Sequence, residues 1–82
     1  MKLLKSIELN HSVNHVKVLN DDLIAIAIRN EFDIIIYSLN KMEILKIFKA
    51  HSLSSVQRLI FLSNGHLLSA SNKDKIKLWE IF

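Results

Sequence analysis

Leu23-Ile24-Ala25-Ile26-Ala27-Ile28 is the longest uncharged apolar run in the chain, and its reading decides the fold. Six residues fall far short of the roughly 20 that a helix needs to cross a bilayer. Extended, the run places Ile24, Ile26 and Ile28 on one side and Leu23, Ala25 and Ala27 on the other. Both sides are apolar, which is the pattern of a strand covered on both faces. Asn20-Asp21-Asp22 precedes the run and Arg29-Asn30-Glu31 follows it, so it begins and ends on turn chemistry.

The rest of the chain repeats this arrangement. Lys2 to Leu9, Val13 to Leu19, Ile34 to Tyr37, Ile44 to Phe48, Val56 to Leu62, Leu67 to Ser71 and Ile76 to Phe82 are further apolar blocks. Polar punctuation such as Asn10-His11-Ser12, Ser63-Asn64-Gly65 and Asn72-Lys73-Asp74 separates them. Short blocks rich in Ile and Val, about ten residues apart, predict strands joined by tight turns. Only the segment from Asp33 to Phe48 fits a helical period, and its Ile34-Ile35-Ile36 triplet favours a strand. The expectation is an all-β chain of eight strands.

Composition limits what those strands can build. The chain has 82 residues, enough for one small domain or a piece of a larger one. A fold of this size buries only about 60% of its unfolded surface. Cysteine is absent, and no cluster of Cys and His offers a structural zinc site. Half the residues are hydrophobic, which excludes intrinsic disorder and leaves more apolar surface than so short a chain easily hides. Eleven Lys and Arg against eight Asp and Glu give a net charge of +3, too small and scattered to define a nucleic-acid or membrane surface. Met1-Lys2-Leu3-Leu4-Lys5 has no apolar stretch of signal-peptide length, so cytoplasm or nucleus is the expected compartment.

The strand pattern also repeats internally. Tyr37 and Trp79 each end an apolar strand and lie 42 residues apart. At that offset Asn30 matches Asn72, Ile34 matches Ile76, Ile36 matches Leu78 and Ile26 matches Leu68, while His11 precedes His51 by 40. A period of about 40–45 residues with four strands per repeat is the spacing of a propeller blade.

The second repeat resembles the WD-repeat family. It runs from His51 through Val56, Leu59 and Phe61 to Ser63-Asn64-Gly65, then Leu67-Leu68-Ser69-Ala70-Ser71, and ends on Ile76-Lys77-Leu78-Trp79-Glu80. The resemblance covers residues 51–82, with Glu80 where the family has Asp. Residues 11–39 resemble the same pattern more loosely, with Tyr37 in place of Trp, Ala27 in place of Ser and no Gly at Asp21-Asp22. The resemblance implies a buried hydrogen-bonded relay through His51, Ser69 and Trp79. Lys73 occupies the turn-Asp position of that relay, with Asp74 one step late.

The implied architecture is two four-stranded antiparallel blades of a partial WD-repeat β-propeller, phase-shifted by one strand. Residues 1–10 would be an outer strand closing another blade, 11–50 the first blade, and 51–82 a second blade lacking its outer strand. The large and small sides of Leu23 to Ile28 suit blades that taper. Propellers have about 4–8 blades, and two bare blade faces exceed the apolar patch a monomer tolerates. Self-association or docking onto other propeller blades is therefore expected. Three copies would supply six blades and four would supply eight; a third possibility is that the chain belongs to a longer product.

Candidate chemistry is sparse. His11 and His15 would lie about 13 Å apart on a strand, too far for one ion. Ser69, His51 and Asp74 are the residue types of a hydrolase triad, yet no nucleophile-elbow pattern surrounds the serine. No catalytic residue, metal or cofactor is expected, and the resemblance implies a scaffold. Asn30, Glu31, Phe32, Lys73, Asp74 and Lys75 fall in equivalent turns, on the face where WD-repeat propellers commonly meet protein partners. Phe32, an aromatic in a turn, is the first of these to test. An alternative is a nucleic-acid-associated subunit using Lys73, Lys75 and Lys77, although stacking aromatics are missing beside them.

Overall fold

The computed structural model describes every residue of the chain except His11, Asn30, Leu53, Lys73 and Asp74. Among the described residues, seven strands form two open antiparallel sheets and there is no helix. Among these residues no helix is therefore long and apolar enough to cross a membrane. The first sheet has the order β1 (Val13–Val18), β2 (Leu23–Ile28), β3 (Asp33–Ser38), β4 (Glu43–Lys49). The second has the order β5 (Val56–Phe61), β6 (His66–Ser71), β7 (Ile76–Glu80).

Turn chemistry sets the hairpins. Between β1 and β2, the Asn20 side-chain oxygen accepts the N–H groups of Asp22 and Leu23, both at 2.8 Å. Between β5 and β6, Asn64 accepts the His66 N–H at 3.0 Å, and Gly65 takes φ +90, a value that favours a residue without Cβ. The first apolar block departs from expectation. Residues 1–9 form no strand; instead Ile7 and Leu9 pack on Ile24, Ile26, Ile28 and Tyr37. A strand needs a paired edge, whereas apolar side chains need only cover from water, and this segment finds the second.

Register corrects the internal repeat. Val13 pairs with Ile28 and Val56 with Ser71, with a bulge following at Val13/His15 and at Val56/Arg58. The two hairpins therefore correspond at an offset of 43, while β3 and β7 correspond at 42. The pair Ile24 with Tyr37 becomes Leu67 with Trp79, and Ile26 with Ile35 becomes Ser69 with Lys77. Ile26, rather than Ala27, stands at the Ser69 position, and Leu68 corresponds to Ala25 rather than to Ile26. A one-residue slip moves every side chain to the opposite face, so the correction decides how the sheets stack.

They stack head to tail. Ala25, Ala27, Ile34 and Ile36 of the first sheet form one core with Val56, Leu59 and Leu67 of the second, and Trp79 packs against it. Leu67 and Trp79 are the counterparts of Ile24 and Tyr37, which point the other way. The backbones approach most closely where β5 lies against β1 and β2. Side chains on the first sheet grow outward from Ala25 and Ala27 on β2, through Ile34 and Ile36 on β3, to Phe48 on β4. Phe48 meets Trp79 with ring centroids 4.9 Å apart, so large rings fill the wide side of a wedge.

Candidate functional site

The most completely built polar cluster lies inside the second sheet. His51 follows β4, on the crossover to β5, and its N–H donates to the Phe32 carbonyl at 3.2 Å. Its ring Nε2 lies 2.8 Å from Ser69 Oγ on β6, and the indole N–H of Trp79 on β7 donates to the same oxygen at 2.8 Å. Ser69 is fully buried and His51 is 1% exposed. Trp is a donor only, so Ser69 uses one lone pair on Trp79 and keeps its O–H and second lone pair for other groups. The cluster ties the crossover, β6 and β7 together, while the His51 backbone reaches back to the first sheet. A serine oxygen with no exposure and two side chains already on it has no room for a substrate.

The turn residues are dispersed. Phe32 is 37% exposed, and its carbonyl accepts the N–H groups of Ala50 (2.9 Å) and His51, so it combines a brace with a half-open ring. Glu31 is half-buried, with its N–H on the Ile28 carbonyl at 3.2 Å, and Lys75 is exposed. Asn30, Lys73 and Asp74 lie outside the described residues. Lys77 is half-buried on the face toward the first sheet, its ammonium 5.9 Å from the Trp79 ring centre. It engages an aromatic face there. Among the described residues, no three His, Asp or Glu side chains gather as a metal site would require.

Two clusters escaped the sequence reading. Asp22, read only as a turn residue, accepts the Ser38 hydroxyl (2.9 Å) and the Asn40 N–H (2.8 Å), while Ser38 Oγ accepts the Lys41 N–H (3.1 Å). These bonds, the Asn40 N–H foremost and then the Ser38 hydroxyl, hold the Asp22 carboxyl below the usual carboxylate range, with nearby Lys41 adding to the effect. The cluster staples the β1–β2 turn to the β3–β4 turn. Elsewhere Asn14, the bulged residue of β1, donates its side-chain N–H to the Val56 carbonyl across the two sheets at 3.1 Å. Nothing in the mixed β1 sequence Val13-Asn14-His15-Val16-Lys17-Val18 singled out Asn14 for that contact, and the Asp22 partners lie 16 and 18 residues away.

The outermost feature is apolar. Ile60, Ile76 (70% exposed) and Leu78 (58%) stand bare on the far face of the second sheet, and Val16, Val18, Ile44 and Ile47 stand bare on the first. At the wide side of the wedge a cleft of about 250 Å³ opens between Lys46 and Phe48 and the β7 end, Trp79, Glu80 and Ile81. Comparisons with protein-family models, with curated proteins and with solved structures return no match.

Proposed function

We propose that this chain is a two-blade segment of a WD-repeat-like β-propeller, acting as a non-enzymatic protein–protein interaction scaffold in the cytoplasm or nucleus. The observation that carries the reading is the head-to-tail stacking of two equivalent, wedge-separated sheets, each with an apolar outer face. Repeating such a step generates a ring of blades, and the bare apolar far face of the second sheet, with the uncovered flanks of the first, marks surfaces that meet other proteins. The buried Ser69 oxygen, held between His51 and Trp79, supports a structural role for those residues. The exposed turn positions Phe32 and Lys75 are the natural partner contacts on this reading.

High-resolution imaging of the native assembly tests it. The expected result is two adjacent blades around a central channel, with both outer faces covered by further blades. A free-standing 9.5 kDa chain that unfolds sharply with no further blade on either face sinks the reading.

A further inference from the structure

We infer that the protein covering these faces is a second copy of this chain, joined by repeating the contact that already holds its own two sheets together. The inference rests on the propeller reading and names its partner. Inside one chain, the face with Ala25, Ala27, Ile34 and Ile36 receives the face with Leu59, Leu67 and Trp79. The register carries the first set onto Leu68, Ala70, Ile76 and Leu78, the outer face of the second sheet. It carries the second set back onto Val16, Ile24 and Tyr37, on the outer face of the first sheet. Each copy thus brings both halves of a joint of which it already contains one example.

A polar contact indexes that joint. Asn14 sits at the β1 bulge and donates to the Val56 carbonyl of the neighbouring sheet. Gln57 sits at the same place in the β5 bulge, exposed, with its side-chain N–H on Ser55 Oγ at 3.0 Å. Val56 corresponds to Val13, which is itself exposed. Across two copies, the Gln57 amide donates to the Val13 carbonyl of the next chain, and both rows of apolar side chains come into register. Such a joint is heterologous: unlike surfaces meet, and about two to four copies make a ring of propeller size.

One obstacle lies on the receiving face. Ile7 and Leu9 cover Ile24, Ile26, Ile28 and Tyr37, and among the described residues the segment's one hydrogen bond is Lys5 Nζ to the Leu39 carbonyl, exposed at 2.7 Å. Residues 1–9 form no strand, so they leave the face without breaking a ladder. They act as a displaceable cover that sets the concentration at which copies join.

The full chain contains no cysteine, which makes single-cysteine variants clean probes. Val13→Cys and Gln57→Cys chains, mixed and treated with a short bis-maleimide, should cross-link to each other and not to themselves. Leu78→Lys should abolish that product with an unchanged circular dichroism spectrum, and Ile7→Ser/Leu9→Ser should lower the midpoint concentration of association at least several-fold. Like-with-like cross-links would signify a two-fold joint and overturn the inference. A midpoint unchanged or raised by the Ile7/Leu9 changes overturns the cover. A ring completed by blades of another protein overturns the second-copy inference while leaving the propeller reading intact; a lone chain with bare faces at every concentration removes both.

Discussion

Ser69→Ala removes one buried oxygen on which two side chains depend. The His51 ring nitrogen and the Trp79 indole N–H each lie 2.8 Å from it, and Ser69 has no exposed surface. A typical hydrogen bond contributes about 0.5–1.5 kcal/mol net, and a buried polar group left without its partner costs about 1–3 kcal/mol. Two such losses together place the expected destabilisation at about 2–4 kcal/mol. A chain of this length has a total stability of about 4–12 kcal/mol, so the change removes a large fraction of it. With a urea slope of about 1 kcal/mol per M, the midpoint falls by about 2–4 M. Urea titration at fixed protein concentration reads this out, using far-ultraviolet circular dichroism alongside the emission of Trp79, the only tryptophan. In a His51→Ala background the same substitution should cost at least about 1 kcal/mol less, because the two residues act on one bond. A loss under about 0.5 kcal/mol, or strict additivity in the double variant, would refute the reasoning.

Three other perturbations probe separate parts of the fold. Ala27→Leu places a large side chain where the sheets sit close, at a residue with no exposure; it should cost about 1–3 kcal/mol, and a melting temperature lowered by less than about 4 °C would contradict it. Gly65→Ala meets no atom within 4 Å, so only the φ of +90 resists it; a loss of about 1–2 kcal/mol is expected, and a thermal melt showing none would mean that the turn adapts freely. Asp22 has its carboxyl pKa lowered in the fold, so its contribution is present above the unfolded value of about 4 and disappears as pH falls through the lower folded value. Asp22→Asn should therefore flatten the acid limb of a stability–pH curve below about pH 4, and an unaltered limb would exclude that role.

Local chemistry was legible because it depends on neighbours in sequence. The run Leu23 to Ile28 is a strand with the bounds read from it, and Val56, Leu67 and Ile76 lie in strands as their blocks predicted. The Asn20 and Asn64 turns follow from short polar side chains that fold back on their own backbone. The candidate site was legible only through likeness: His51, Ser69 and Trp79 were paired by resemblance, and nothing in their spacing dictated two bonds to one oxygen. Lys77 shows the limit from the other side. Grouped with Lys73 and Lys75 as a candidate nucleic-acid contact, it turns toward Trp79 because the pleat puts it on the inner face.

What the sequence determined by itself is the inventory: seven of the eight apolar blocks become strands, with their turns and an apolar character on both sides of each sheet. What only the tertiary structure decided is which side meets which. The path from Ala70 to its partner Ile76 is one residue shorter than that from Ala27 to Ile34, which shifts the repeat from an offset of 43 to 42, and side chains alternate with period two, so single residues at turns and bulges set the facing of whole strands. The first block met no edge to pair with and became a cover instead. Pattern specifies what each strand wants to bury; only the assembled sheets specify against whom.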